Sequence, residues 1–256
     1  MPALEPHITH DFPTRNGMAN HDGFQDLYLA LRKKENRLYT DEQVSRLPII
    51  ESSHPHYKEW LARKRSLDKL TRYIRGLRQP LNILEVGCGN GWLANRLSEI
   101  PGTTVTGFDI NLEEVQQAIR VFGKKTNLRF RTVNPFSFNN DETPYDIVVF
   151  AASIQYFPSL DAIIYDALGH LKPGGSIHII DTHFYIPEEV PAARQRTIDH
   201  FTALGYPGMS DYYFHHSLVT LSKFDYIILY DPQSWHNKLF GGRSKNPFYW
   251  IMIKKI

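Results

Sequence analysis

The chain has 256 residues, 42% hydrophobic and 22% charged, with a formal net charge of +2. That is enough apolar material for one α/β domain with elaborations, or at most two small domains, and it leaves no global footprint for a polyanion such as nucleic acid. The single cysteine, Cys88, excludes an internal disulfide and argues against a cysteine-based zinc site. No apolar run approaches the roughly 18 residues of a membrane span, and the first residues, M-P-A-L-E-P-H-I-T-H-D-F, lack the basic start and apolar core of a secretory signal. The expected setting is a reducing cytoplasm.

Residues 1 to about 20 are rich in Pro, His and Asn and carry no period, so they read as a tail or a drape over the body. His7, His10 and His21 are polar tail residues on this reading rather than a metal cluster, because no rigid element fixes their geometry. A helical pattern, F-x-x-L-Y-L-A-L-R-K-K, runs from Gly23 to about Arg37. Leu47-Pro48-Ile49-Ile50 and His54-Pro55-His56 then break the chain. A longer helix is predicted from about His56 to Arg78, with Tyr57, Trp60, Leu61, Leu67, Leu70, Ile74 and Leu77 on its apolar side. Arg63, Lys64, Arg65, Lys69, Arg72, Arg75 and Arg78 crowd the rest as a solvated face, of which one or two could meet an anionic substrate.

Leu81 to Asn111 organises the chain. The apolar run Leu81–Val86 predicts a buried parallel strand. Three alternating glycines follow, Gly87, Gly89 and Gly91, where the backbone can turn tightly and approach a ligand with no Cβ in the way. A helix pattern comes next, whose first turn offers unpaired N–H groups. A second short strand, Thr104 to Phe108, runs into Asp109, an acid placed to take two hydrogen bonds from a ribose diol. Strand, glycine turn, helix, strand, acid: the stretch predicts a nucleoside site at the C-terminal edge of an open sheet.

Beyond it, Asn111 reads as the N-cap of a helix with acids in its first turn and Val115, Ala118, Ile119 and Phe122 as its inner stripe. Asn127 to Val133 is the third strand, ending in Asn134-Pro135-Phe136. Tyr145 to Ser153 is the fourth strand and its exit, followed by a helix opened by Ser159. Leu171-Lys172-Pro173-Gly174-Gly175 reads as a sharp turn into the fifth strand, Ser176 to Asp181, and Thr182-His183-Phe184-Tyr185 leaves at the ligand edge. A helix from Ser217 to Phe224 precedes the sixth strand, Asp225 to Tyr230, and Phe248 to Lys254 is the seventh. The segment before that helix is an insertion, a cap of about 184–216, with Arg194, Arg196, His200, Tyr206, Tyr212, Tyr213, His215 and His216. The long loop before the last strand adds Trp235, His236, Lys238, Arg243 and Lys245.

The string Glu85-Val86-Gly87-Cys88-Gly89-Asn90-Gly91 resembles motif I of class I S-adenosylmethionine-dependent methyltransferases, of the type 11-like bacterial kind, and Leu171-Lys172-Pro173-Gly174-Gly175 is a second hallmark. The resemblance covers roughly Leu81 to Ile256. It implies a Rossmann-like α/β fold, a seven-stranded sheet of order 3-2-1-4-5-7-6 with helices on both faces. It also implies a helical lid in an N-terminal extension (1–79) ahead of the methyltransferase domain (80–256). The implied cofactor is S-adenosyl-L-methionine, held by Glu85, Gly87, Cys88, Gly89, Gly91, Asp109 and Ile110. Asn134, Pro135 and Phe136 fall where the family contacts adenine, and Ala151 and Ala152 fall beside the sulfonium. Asn134-Pro135-Phe136 also resembles the [DN]-P-P-[YF] motif of base-methylating enzymes. It follows the third strand rather than the fourth, which argues against DNA base methylation. Lid candidates are Tyr39, Tyr57, Trp60 and Arg63.

The expected reaction is methyl transfer to an O or N atom of a small anionic molecule or glycan, with no nucleic-acid partner. A general base is needed only if the nucleophile must lose a proton. His183 is the first candidate, with His215, His216 and Tyr156 next. Tyr57, Tyr156, Tyr185, Arg196, Tyr213, His216 and Trp235 are the candidate substrate contacts, because cations and aromatics converge on one edge. The nearest rival is an NAD(P)-dependent oxidoreductase, since Gly89-Asn90-Gly91-Trp92-Leu93-Ala94 satisfies G-x-G-x-x-A with Asp109 about 20 residues on. No tyrosine here has a lysine four residues later, as short-chain reductases require. A non-catalytic methyltransferase-like binding protein is the other alternative.

Overall fold

The computed structural model describes residues 21–132, 144–235, 237 and 245–256. Its centre is a seven-stranded sheet of order β3-β2-β1-β4-β5-β7-β6. The strands are β1 Leu81–Val86, β2 Thr103–Asp109, β3 Leu128–Thr132, β4 Tyr145–Ala151, β5 Leu171–Ile180, β6 Tyr226–Tyr230 and β7 Trp250–Lys254. Strands β1 to β5 run parallel, and β7 lies antiparallel between β5 and β6. The sheet order is the one the motif resemblance implies. Residues Val133, Asn134, Pro135, Phe136, His236, Lys238 and Arg243 lie outside the described residues.

The central strands read as continuous apolar runs because both their faces are covered. Ile83 and Val105 point to one core, and Leu84, Val86 and Phe150 to the other. The first core takes α2 (Asp41–Arg46), α3 (Tyr57–Arg75), α4 (Trp92–Ser98) and α5 (Leu112–Phe122). The second takes α6 (Leu160–Gly169) through Leu160, Ile163, Ile164 and Ala167. Each fully buried Leu or Ile contributes roughly 1.5–3 kcal/mol. Leu70 and Ile74, both fully buried, therefore anchor α3 against its many surface cations.

Local chemistry sets the helix starts. Asn111 Oδ1 accepts from the Glu114 N–H at 3.0 Å, and Ser159 Oγ accepts from the Ala162 N–H at 3.2 Å. Helix α2 carries a capping box in which Thr40 and Gln43 satisfy each other's backbone N–H. Six residues hold too little period for that helix to be read from apolar spacing. Three other expectations change. Ile119 is 49% exposed and not part of the inner stripe of α5, where Glu114 is buried instead. Lys172-Pro173-Gly174-Gly175 is a bulge inside β5 rather than a turn ahead of it, with Leu171 opposite Tyr145 and Ser176 opposite Ile147. The segment before β6 is a 3₁₀ helix, Leu218–Lys223, opened by Ser217.

The cap is built around α7 (Val190–Leu204), which ends at Gly205 in the left-handed conformation. Phe201 and Met209 of the cap form a third, smaller core with Leu31 of α1 (His21–Lys34). Phe24, Tyr28, Tyr156 and Tyr213 pack onto it. Two segments far apart in sequence thus roof the C-terminal edge of the sheet together.

Candidate functional site

Under that roof is a cavity of about 440 Å³, lined by residues of α1, α3, the glycine turn, the tips of β4 and β5, and α7. Its floor is the turn after β1. Gly87 and Gly91 both sit at φ +75°, in the left-handed region. A Cβ on Gly87 would stand 2.4 Å from the Ser153 Cβ, and one on Gly91 2.5 Å from the Phe130 ring. Glycine is required at both places for space as well as for conformation.

Two acids flank the turn. Glu85 is 2% exposed, and the backbone N–H of Ala94 in α4 bonds its carboxylate. Its Oε2 is buried and meets no partner among the described residues. Burial pushes this carboxyl well up, and the Asp109 charge adds to the rise. Asp109, at the tip of β2, accepts from the Gly89 N–H at 2.7 Å through Oδ2 and from the Asn111 N–H at 2.8 Å through Oδ1. Burial raises its carboxyl too, against those backbone donors. Cys88 is buried with its thiol pushed well up by burial, the opposite of an activated nucleophile.

Above the floor, Ala151 and Ala152 line the cavity, Ala152 with a φ of +53°. Asp181, at the tip of β5, also has a left-handed φ, +56°. Non-glycine residues hold that conformation only where the surroundings over-determine it. Here Ser66 Oγ of α3 donates to Asp181 Oδ1, and Asn246 Nδ2 donates to Ser66 Oγ at 2.6 Å. Asp181 Oδ2 is buried with no partner among the described residues. Burial raises this carboxyl, with the Arg63 charge working against it.

The α1 and α3 side is an ion network. Glu59 bonds Arg37 at 2.7 Å and Arg63 at 3.0 Å. Burial alone would raise Glu59, but the Arg37 hydrogen bond and the Arg63 and Arg37 charges hold it at about 2. Trp60 Nε1 donates to the Tyr39 hydroxyl at 2.7 Å, and Arg63 lies 5.2 Å over the Trp60 ring. Tyr39, Trp60 and Arg63 all line the cavity.

The structure brings His183, Tyr156, Tyr185, Arg196 and Tyr213 to the same cavity, with Glu85, Gly87, Cys88 and Gly89. The His183 ring lies 4.8 Å from Phe248, and burial followed by the Arg196 charge lowers its pKa, which favours the neutral imidazole. Other candidates fall elsewhere. Tyr57, the first residue of α3, lies outside the lining. His216 is buried with Nε2 bonded to the Ile154 carbonyl at 3.0 Å, which ties it to the β4 exit. His215 bonds Thr197 Oγ1 at 2.8 Å, and Trp235 is 70% exposed. Gly91, Asp109 and Ile110 are not among the lining residues; Gly91 shapes the turn, and Asp109 lies beside the cavity and holds the Gly89 N–H. Sequence reasoning missed Asp181, taken as a strand end, and Glu114, taken as a first-turn acid. Asp181 was findable by the logic applied to Asp109, an acid at the C-terminal tip of a parallel strand.

An unpartnered carboxylate oxygen beside a glycine cradle suits a nucleoside that carries a cationic amino-acid tail. Together with the strand order, this defines a class I S-adenosylmethionine-dependent methyltransferase. A family model described as a methyltransferase domain matches residues 57–226, and the chain belongs to that family. It is 28% identical over 140 residues to malonyl-[acyl-carrier protein] O-methyltransferase 2 of Ilyobacter polytropus, covering 52% of this chain and 54% of that protein. It is 29% identical over 112 residues to the ubiquinone biosynthesis O-methyltransferase of Rickettsia felis, covering 43% and 44%. The chain thus matches about half the length of these curated relatives. Among solved structures, the plantazolicin methyltransferase BpumL in complex with a pentazolic desmethylPZN analog and SAH superposes with a TM-score of 0.55 at 16% identity, over 92% of this chain and 98% of that one. A putative sarcosine dimethylglycine methyltransferase from Galdieria sulphuraria gives 0.58 at 14% identity, over 90% and 98%. At such identities these two speak for the fold alone. No helix among the described residues is long and apolar enough to cross a membrane.

Proposed function

We propose that the protein moves a methyl group from S-adenosylmethionine to an O or N atom of a small molecule or glycan that carries an anionic group. The observation that supports this most is that one cavity joins the glycine turn to the cap and is lined by two carboxylates, Glu85 and Asp181, each with one oxygen unpartnered among the described residues. Two of the curated relatives are O-methyltransferases, which supports oxygen as the acceptor atom.

S-adenosylmethionine, when bound, supplies a methyl group on a positively charged sulfur, and the carbon–sulfur electron pair returns to sulfur as the acceptor's lone pair takes the methyl. The chain's own residues bind, orient and exclude water. Glu85 Oε2 receives the ammonium of the methionine part, and Asp109 the ribose hydroxyls. Arg196, at the cavity rim with His183 and Tyr185, meets the acceptor's anionic group. Asp181 Oδ2 takes the proton the acceptor releases, with Oδ1 held still by Ser66. His183 is the second reading for that proton, because its neutral form is favoured and it lines the same cavity.

The test begins with calorimetric titration of S-adenosylhomocysteine and NADH in parallel. Micromolar binding of the homocysteine product alone supports the reading, and binding of NADH alone overturns it. Transfer of labelled methyl to a panel of hydroxy acids, amino acids and acidic sugars then identifies the acceptor class. For an acceptor so found, Asp181→Asn is expected to lower kcat by about 10²–10⁴-fold while product affinity stays within about threefold. An unchanged kcat would move the proton to His183. Arg196→Gln is expected to raise KM about tenfold with kcat kept. Equal loss on neutral and anionic acceptors would remove the anion role.

A further inference from the structure

Glu114 is the third residue of α5 and 8% exposed. A first-turn acid ordinarily faces solvent, where it complements the helix dipole. Its neighbour Glu113 does this, being exposed. Glu114 is instead turned inward with Val115, Ala118 and Phe122, and its carboxylate closes over the glycine turn. A Cβ built on Gly89 would stand 3.1 Å from Glu114 Oε2 and 3.6 Å from Oε1. No hydrogen bond from a described residue reaches this carboxylate, and the side chain lines the cavity. A carboxylate turned into a cavity rather than out to solvent is placed to meet a ligand.

The donors that could have served it are spent on Asp109. The Gly89 and Asn111 N–H groups bond the two Asp109 oxygens and the Ile110 N–H bonds the same carboxylate, which leaves it little free capacity for a diol. Gly89 therefore stands between two carboxylates, Asp109 bonded to its N–H and Glu114 against its Cα. We propose that Glu114 is a second acceptor for the ribose hydroxyls of the nucleoside cofactor, working beside Asp109. This rests on the reading that the cavity holds S-adenosylmethionine.

The charged and titratable groups facing Glu114 are Arg32 and Tyr28 of α1, Arg63 of α3, Cys88 of the glycine turn and Asp109 of β2. Burial raises the Glu114 carboxyl to about 7; the Arg32 charge opposes the rise, the Asp109 charge adds to it, and Arg63 lowers it. A carboxylate accepts hydroxyl protons better than a carboxylic acid does. The ligand therefore favours the ionised form, binding strengthens as pH rises through 7, and binding near pH 7 releases part of a proton.

The experiment is calorimetric titration of the full chain with S-adenosylhomocysteine near pH 6 and pH 8, in two buffers of different ionisation heat. Wild type and Glu114→Gln are compared, each with a thermal unfolding curve. A carboxyl titrating near 7 goes from about one tenth to about nine tenths ionised over that range, so wild type is expected to gain up to about tenfold in affinity. It also releases a measurable fraction of a proton at pH 7. Glu114→Gln is expected to bind about as wild type does at pH 6, at both pH values, with that release gone. A variant that keeps the wild-type pH dependence overturns the proposal. Should the variant be unfolded, wild type alone decides, since no proton release at pH 7 overturns it equally. Absence of binding at both pH values removes the cofactor reading and this inference together, whereas binding with the wrong pH dependence removes the inference alone.

Discussion

Asp109→Ala is expected to weaken S-adenosylhomocysteine binding by about a hundredfold or more, because a hydrogen bond to a charged acceptor is worth about 1.5–3 kcal/mol and a ribose diol makes two of them. The variant also strands the N–H groups of Gly89 and Asn111, which Asp109 accepts at 2.7 and 2.8 Å. Part of the loss would then be a loosened turn rather than a lost ligand contact. Asp109→Asn separates the two, since its single carbonyl oxygen can keep one backbone donor but cannot hold both and the diol as well. Calorimetry reads the affinity and a thermal melt reads the turn. An Asp109→Ala protein that binds within threefold of wild type would show that the cavity holds its nucleoside some other way.

The second large effect is on stability. Gly91→Ala is expected to cost about 2–5 kcal/mol, roughly 1–2 for a left-handed alanine and about 1–3 for overpacking. The added carbon would meet the Phe130 ring at 2.5 Å and the Ala118 Cβ at 2.8 Å, so β3 and α5 must both give way. Gly174→Ala is the control. It too is left-handed, with φ +77°, but has nothing within 4 Å of the new carbon, so it isolates the conformational part. Denaturant unfolding of both variants measures the difference. Equal losses would mean that the Phe130 contact relaxes freely and that the crowding argument is wrong.

Much of the fold was legible because the signals were local. The run Leu81–Val86 is apolar on both faces and is a strand with those bounds. Asn111 and Ser159 stand where caps should, and both cap. The cavity floor was legible where it depends on backbone shape, as at Gly87 and Gly89. It was not legible where function depends on which way a side chain turns. Glu114 and Ile119 share one helix, and composition alone favours burying the isoleucine, yet the glutamate is inside. Two histidines differ in the same way. His183, just ahead of the cap, opens to the cavity, while His216 is tied to the Ile154 carbonyl 62 residues earlier in the chain. Asp181 could be read as a strand-tip acid, but the hydrogen bonds that fix it come from Ser66 and Asn246 in distant segments.

That last arrangement has a bearing on the order in which the protein can acquire its chemistry. Ser66 and Asn246 are 180 positions apart, and their hydrogen bond holds the carboxylate at the tip of β5. Strand β7, which follows Asn246, slots between two strands made earlier. A ribosome threading out this chain therefore exposes the nucleoside turn early, while the reactive end of the cavity is assembled only when residues near 250 have emerged. Contacts of such span close slowly. The carboxylate at the tip of β5 is therefore among the last parts of the cavity to be fixed.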